Sequence, residues 1–226
     1  MLKRDIPALY NIRSVNDLEM IFLFLCYSSS SITSMEAISR ELSGVSRPTV
    51  EKYIQYLESA NLIYVSNPID IRGKKILKSQ PKIYITDAAI RNAVIMQEDL
   101  LTNPTEMGLM VETAVYKHIR AFYCHLSANV GYYRKSGKDS EIDVVVEYPN
   151  SRILIEVKYR EQYSLGDKAL IVSEADKAAS ALLVTKREDD FGPLKINPAV
   201  YRIPAYAFMY LLGHAEKNGT PATPHH

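Results

Sequence analysis

Three residues on two neighbouring apolar segments have the types and spacing of a metal-dependent hydrolytic site. Asp143 lies in the segment Glu141–Glu147, and Glu156 and Lys158 lie two residues apart in the segment Ile153–Tyr159. Both segments are rich in Ile, Val and Leu, which is typical of β-strands. Carboxylate oxygens are the ligands that Mg²⁺ prefers. A lysine beside them could orient or deprotonate a water and offset charge on a phosphate.

The turn between the two segments determines which side chains face each other. Tyr148–Ser151 contains a Pro-Asn pair that favours a turn, so we expect a hairpin. A turn centred on that pair places Asp143 opposite Glu156, and it places Glu141 opposite Lys158. Two carboxylates directly opposite are destabilising unless a cation lies between them. The alternative is an exposed sheet edge with a structural Glu141–Lys158 ion pair.

Glu112 is a fourth candidate, on a predicted helix over residues 105–124. It lies at the edge of the apolar side formed by Val111, Val115 and Ile119. An acid at the margin of a buried stripe lowers stability unless it is paired. Glu112 is therefore a candidate partner of the strand residues, and the alternative is a carboxylate that accepts a backbone hydrogen bond.

The first part of the chain has the pattern of a winged helix. Apolar spacing in Leu18–Leu25 predicts one helix, and Thr33–Glu36 predicts a capping box at the start of a second. A third helix is predicted to begin at Ser46. About three residues separate helices two and three, which suits a helix-turn-helix. Leu62–Val65 and Lys82–Ile85 are predicted to be strands.

This predicted domain carries candidate nucleic-acid contacts. The third helix would expose Arg47, Thr49 and Lys52 to a major groove. The connection between the two strands is basic and would contact phosphates through Arg72, Lys74, Lys75 and Lys78. Acidic residues on the same helix weaken the case, so the alternative is a protein-contact module.

Composition narrows the class of protein. The chain has 226 residues, 27 Lys+Arg against 26 Asp+Glu, and 47% hydrophobic residues. This hydrophobic fraction excludes wholesale disorder. No apolar run approaches the roughly 18 residues that a membrane-spanning helix needs. Two cysteines provide neither a disulfide framework nor a zinc cluster, so we expect a cytoplasmic protein.

The order of the predicted elements gives a two-domain organisation. Residues 1–91 form the winged helix, residues 92–215 form a three-layer α/β domain with a mixed sheet, and residues 216–226 form a disordered tail. After the hairpin, a crossover helix over residues 173–180 leads to a parallel strand at Ala181–Thr185. A last strand at Tyr201–Ile203 and a helix at Ala205–Leu212 follow.

Glu112, Asp143 and the triplet Glu156-Val157-Lys158 resemble the signature of PD-(D/E)xK nucleases. The proline of that signature is absent, because Glu141-Ile142 precedes Asp143. The chain more specifically resembles the C-terminal half of a family of prokaryotic AAA+ ATPases, in which a P-loop domain precedes a winged helix and a nuclease-like domain. The matching stretches are Lys3–Pro7, Ser46–Tyr53, Leu57-Glu58, Pro81–Asp87, Gly108–Val115, Glu141–Asp143 and Glu156–Lys158.

The resemblance implies a DNA-binding, Mg²⁺- or Mn²⁺-dependent nuclease module with an ATPase domain before residue 1. Glu112, Asp143, Glu156 and Lys158 would be catalytic, and Asp143 and Glu156 would hold the metal. The chain contains no G-x-x-x-x-G-K-[ST] motif, so we expect no ATP site in it. The alternatives are a catalytically silent nuclease fold that binds nucleic acid or protein, and an allosteric sensor for an ATPase.

Overall fold

The computed structural model describes residues 1–70, 80–96, 101–123, 126–135 and 141–218. The chain divides into two compact units. The first contains Met1–Asn67 and Lys78–Asp99, and the second contains Pro68–Leu77 and Leu100–His226. No helix within the described ranges is both long and apolar enough to cross a membrane.

The first unit combines short helices with a small antiparallel sheet. Its helices are α1 (Asp5–Tyr10), α2 (Val15–Tyr27), α3 (Met35–Glu41), α4 (Arg47–Ser59) and α5 (Ala88–Ile95). Its strands are β1 (Ser31–Ile32), β2 (Ile63–Ser66) and β3 (Lys82–Ile85), in the order β1-β3-β2. The predicted apolar faces of α2 and α4 are buried and form the core together with both longer strands.

Side-chain capping determines the residue at which these helices begin. The Ser46 hydroxyl accepts a hydrogen bond from the Thr49 N–H at the start of α4, and a proline follows in the first turn, as predicted. The predicted cap of the preceding helix was wrong by one residue. Ser34, rather than Thr33, accepts from the Ala37 N–H at 3.0 Å, whereas the Thr33 hydroxyl donates to the Ser31 carbonyl. Adjacent hydroxyl residues are equally suited to the cap, so the sequence could not distinguish them.

The second unit is built on a six-stranded mixed sheet. Its strands are β4 (Asn129–Arg134), β5 (Glu141–Glu147), β6 (Arg152–Lys158), β7 (Ser180–Thr185), β8 (Gly192–Pro193) and β9 (Val200–Pro204). The spatial order is β4-β5-β6-β7-β9-β8, in which β6, β7 and β9 are parallel and the other pairs are antiparallel. Its helices are α6 (Pro104–Tyr123), α7 (Leu170–Glu174) and α8 (Ala205–Lys217).

The β5–β6 hairpin has the register expected from the sequence. Val144 pairs with Ile155, and Glu147 pairs with Arg152. The turn is closed by the Tyr148 N–H, which donates to the Ser151 carbonyl at 2.8 Å. Because side chains alternate along a strand, this register fixes which residues share the face that carries Asp143.

The crossover helix expected over residues 173–180 was wrong in position. The helix is α7, five residues long, followed by a 3₁₀ turn at Ala175–Lys177, and Ser180 already belongs to β7. The reason is burial. Leu170, Ile171 and Val172 cover the sheet core, while the Ala179 N–H donates to the Arg152 carbonyl and begins the pairing with β6.

Each edge of this sheet departs from a long, regular, uncovered strand. At one edge, Pro68 forms a bridge with Tyr132 of β4, and the Ile69 N–H donates to the Tyr132 carbonyl at 2.7 Å. The ladder of β4 with β5 also shifts between Gly131 and Tyr133, as in a β-bulge. At the other edge lies β8, which contains only two residues. Residues 68–70 therefore contribute to the second unit, which the sequence did not predict.

We expect Leu154→Ala to destabilise the second unit strongly, because Leu154 is fully buried in its core. Removing a buried leucine costs about 2–5 kcal/mol of the free energy of unfolding. The matched control is Leu211→Ala, at a leucine that is 53% exposed on α8, which should change stability by no more than about 0.5 kcal/mol. Chemical denaturation followed by circular dichroism measures both, and equal stabilities would contradict the assignment of this core.

Candidate functional site

Two carboxylates and a lysine lie around one cleft where β5 begins and β6 ends. Asp143 and Glu156 are each only 6% exposed, and Lys158 is half-buried. All three line a cleft of about 330 Å³, together with Glu141. The apolar wall of this cleft includes Leu170 and its neighbours at the start of α7. The hairpin register and the docking of α7 together create the site.

Each carboxylate makes a specific contact. One oxygen of Asp143, Oδ2, accepts a hydrogen bond from the Val157 N–H at 2.9 Å. The Lys158 ammonium donates to Glu156 Oε1, which is on the same strand two residues earlier. The paired residues of the hairpin end at Val144 and Ile155. Asp143 therefore satisfies a backbone donor just beyond that point, while Lys158 balances the charge of Glu156.

The charge state of Lys158 follows from competing effects on its pKa. Burial lowers the pKa of the ammonium, but the negative charges of Glu156, Asp143 and Glu112 outweigh burial and raise it above 10.5. Lys158 is therefore a cation at neutral pH. This favours a role in offsetting negative charge over the alternative of deprotonating a water.

Glu112 lies on α6 and is half-buried. It is close enough to contribute to the raised pKa of Lys158, although less than either strand carboxylate. The described residues contain no group of three or more His, Cys, Asp or Glu side chains that could hold a metal. Glu112 is therefore an electrostatic neighbour of the site rather than a third ligand of a preformed cluster.

The chemistry of the donor set fits a hard divalent cation. Mg²⁺ is usually bound by one or two protein carboxylates, with waters and substrate phosphates supplying the other oxygens. Asp143 and Glu156 are two such carboxylates, buried at the same cleft. A metal there would compete with the Lys158 ammonium for the charge of Glu156.

The candidate DNA contacts on α4 differ in how accessible their polar groups are. The Arg47 guanidinium donates to Glu51 at 2.7 Å and pairs with Glu36. The hydrogen bond with Glu51 and the charges of both acids raise the pKa of Arg47. Arg47 is exposed, but its charge is largely balanced within the unit. Exposed ion pairs contribute only about 0–1 kcal/mol, so an incoming phosphate can displace such partners.

The other nucleic-acid candidates fall into three groups. Thr49 is half-buried, and its hydroxyl lies 2.9 Å from that of Ser46, so it is committed to the helix start. Lys52 is exposed, with its ammonium 5.7 Å from the ring centroid of Tyr56. The basic residues of the connection lie outside the described residues; they are Arg72, Lys74, Lys75 and Lys78.

A second polar cluster, which the sequence did not reveal, lies at another cleft of about 450 Å³. Asp190 is buried and accepts hydrogen bonds from Arg202 and from the Tyr163 hydroxyl, both at 2.9 Å. Burial and the contact with Asp190 raise the pKa of Tyr163, which therefore keeps its proton. The available signal was an arginine at alternating spacing with the buried Val200 inside a short strand.

Two domain families of unknown function match the chain, one in each part. Residues 1–101 match the family described as domain of unknown function DUF8612. Residues 107–206 match the family described as domain of unknown function DUF4143. Domains of the second family are commonly associated with AAA ATPases.

Two known proteins match part of the chain. A protein of Haemophilus influenzae, described only as uncharacterized, is 32% identical over 95 residues, which cover 40% of this chain and 24% of that protein. The crystal structure of protein VC1899 from Vibrio cholerae matches 89% of this chain and 52% of its own, with 15% identity and a TM-score of 0.34. This chain spans less than two thirds of the length of either protein.

We expect Lys158→Met to destabilise the protein at pH 7, because it leaves two buried carboxylates without their cation. The loss should be about 3 kcal/mol, the lower end for a broken buried pair, since the Lys158 side chain is 31% exposed. The double variant Glu156→Gln/Lys158→Met should recover most of this loss, as measured by chemical denaturation.

The same ion pair gives a pH dependence with a definite sign. Because the folded-state pKa of Lys158 is raised, its stabilising contribution is complete below pH 10.5 and declines as pH rises through the folded value. A Lys158→Met variant as stable as the wild type at pH 7 would show that this lysine does not balance the buried acids.

Proposed function

We propose that the second unit is a nuclease-like module that hydrolyses phosphodiester bonds with Mg²⁺ or Mn²⁺. The observation that carries this proposal is the burial of Asp143 and Glu156 beside the Lys158 cation at one cleft. Buried acids without a function are a burden on stability. The order of these residues along the chain, with Glu112 before them, is that of the nuclease signature which the sequence resembles.

The residues have distinct roles in this proposal. Asp143 and Glu156 would hold the metal, which when bound supplies a polarised phosphoryl oxygen and a water of lowered pKa. Lys158 stays protonated and stabilises negative charge that develops on the phosphate. Glu112 helps to keep Lys158 charged. The apolar residues of α7 limit water on one side of the cleft.

The first unit is proposed to be a winged helix that binds DNA. In support, α2, β1, α3, α4, β2 and β3 follow one another in the order typical of that fold, with a sheet order of β1-β3-β2. Its second and third main helices are joined by a short turn that contains Gly44 with a positive φ. Arg47, Thr49 and Lys52 on α4 are the proposed groove contacts, and Arg72, Lys74, Lys75 and Lys78 are the proposed phosphate contacts.

An ATPase domain is the proposed partner of this chain. The support is the match of residues 107–206 to a family that is commonly associated with AAA ATPases. The sequence itself contains no P-loop motif, so ATP would have to be bound elsewhere in the assembly. The proposed nuclease and DNA-binding units would then work under the control of ATP hydrolysis.

A second candidate is a catalytically silent module that regulates the ATPase or binds a partner. The observation that favours it is that each carboxylate has a partner within the protein. Lys158 balances Glu156, and Asp143 accepts from the Val157 N–H. The two candidates differ in whether the site binds a metal and cleaves nucleic acid.

We expect the protein to cleave DNA in the presence of Mg²⁺ or Mn²⁺ and to lose this activity in Asp143→Asn and Glu156→Gln. Loss of metal-derived stabilisation of the transition state amounts to several kcal/mol, which corresponds to a fall in rate of roughly a hundredfold or more. Cleavage of labelled duplex and single-stranded DNA, with EDTA as a blank, measures the effect. The matched control is Asp176→Asn, at an exposed aspartate of the same unit.

Metal binding is tested separately from cleavage. A metal that binds only the folded state stabilises it by about 2.7 kcal/mol at one hundred times its Kd. Mn²⁺ should therefore raise the melting temperature of the wild type and of Asp176→Asn, but not that of Asp143→Asn. A folded protein with neither a thermal shift nor cleavage would favour the silent module.

We expect DNA binding by the first unit to weaken in Lys52→Ala and Arg47→Ala. Each lost phosphate contact lowers the slope of log affinity against log salt by about 0.9 for duplex DNA. The loss should be larger for Lys52→Ala, because Arg47 is already paired with Glu36 and Glu51. Fluorescence anisotropy at several salt concentrations measures both, with the exposed Lys217→Ala as a control. Unchanged affinity and slope in both variants would favour the protein-contact alternative.

A further inference from the structure

The second cleft lies where parallel strands end. Residues 161–165, which line it, follow β6, and Arg187 and Asp190, which also line it, follow β7. Crevices outside the carboxyl ends of parallel strands are common ligand sites in open α/β sheets. Leu165 lines both this cleft and the one that contains Asp143 and Glu156. The two clefts are therefore neighbours.

The strand registers place Arg202 in line with Glu156. Glu156 pairs with Leu183 on β7, and Leu183 pairs with Arg202 on β9. Directly paired residues share a face of the sheet, so both charged side chains lie on the same face. Two strand spacings separate them, which is about 10 Å at roughly 4.8 Å each.

The guanidinium of Arg202 is held by the buried Asp190 and by Tyr163. Its Nη1 donates to Asp190, which the Tyr163 hydroxyl holds through the other oxygen. The Arg202 Nε atom is buried, and within the described part of the chain it has no hydrogen-bond partner. A buried donor without an acceptor is unfavourable. An anion that enters the cleft could accept a hydrogen bond from this Nε–H when the guanidinium turns toward it.

The charges around the cleft favour an anion. Three cationic side chains line it, from Arg187, Lys195 and Arg202, against two acidic ones. Asp190 is paired with Arg202, Glu161 with Lys186 and Arg187 with Asp189, so within the described residues Lys195 supplies the net positive charge of the lining. Arginine presents its donors in a planar fork that suits phosphate oxygens.

We infer that this cleft is a subsite for a phosphate group of a nucleic-acid strand whose scissile phosphate lies at Asp143, Glu156 and Lys158. This inference rests on the proposed nuclease function and adds to it a positioning contact away from the scissile phosphate. The Asp190–Tyr163 pair orients Arg202, and Lys195 provides a second, exposed cation at the rim. The subsite would bind the strand without metal, whereas cleavage requires metal.

The test is binding of a fluorescein-labelled single-stranded DNA to the full chain in EDTA, measured by anisotropy at several salt concentrations. Lys195→Ala should weaken binding and lower the log–log salt slope by about 0.7, the value for one lost contact with a single strand. The double variant Asp190→Asn/Arg202→Gln should do the same without leaving a buried unpaired charge. The exposed Lys217→Ala is the matched control and should bind as the wild type does.

Wild-type affinity and slope in both Lys195→Ala and the double variant, each shown to be folded by its melting temperature, would overturn the subsite. Inorganic phosphate distinguishes a strand from a small phosphate compound. If phosphate stabilises the wild type but not the double variant, while DNA binding is unaffected, the strand is the wrong ligand. The binding assay contains EDTA and needs no cleavage, so binding that depends on Lys195 and Arg202 supports the subsite even if no cleavage is found.

Discussion

The structure of the second unit depends on how two buried carboxylates are stabilised at the end of an apolar hairpin. Transfer of Asp143 and Glu156 into a low-dielectric interior is costly unless each charge finds a partner. Glu156 finds one in Lys158, two residues later on the same face of the same strand. Asp143 finds a backbone N–H across the hairpin. The Asp143 contact requires β5 and β6 to pair in one register, so this charge restricts the fold together with the apolar residues.

One face of the sheet therefore serves two purposes. Near the middle of the strands it carries apolar residues such as Leu154 and Leu183, which pack under α7 in the core. At the carboxyl end of β6 the same face carries Glu156 and Lys158, and in the middle of β9 it carries Arg202. A slip of one residue in register would move every one of these side chains to the opposite face. The core thus specifies the register on which the polar residues depend.

The sequence predicted the parts of the fold that local patterns determine. The hairpin register, the parallel strand after it, the apolar faces of α2 and α4, and the mixed sheet are confirmed, because alternation and turn chemistry act over short distances. The crossover helix and the Thr33 cap were wrong. In the first case tertiary burial of Leu170 to Val172 outweighed local preference, and in the second two adjacent hydroxyls were equivalent.

The candidate site was predictable to a similar extent. Asp143, Glu156 and Lys158 could be grouped because a single turn brings them together. The charge state of Lys158 could not be predicted, since it depends on burial and on Glu112 from a distant helix. Asp190, Tyr163 and Arg202 could not be grouped either, because they come from two connections and a strand whose relative geometry only the assembled sheet defines. The nuclease and winged-helix assignments stay predictions.

The covered and short edges of the sheet have a consequence for self-association. A strand edge with free N–H and C=O groups is a template for other chains and a route to aggregation. Here the backbone of Pro68 and Ile69 covers part of β4, whose ladder is also interrupted by a bulge. At the far side, the two-residue β8 ends in Pro193, which has no N–H to offer. Within the described residues, the sheet thus offers no long uninterrupted strand to a neighbouring molecule. The folded sheet therefore leaves little strand edge on which another chain could pair.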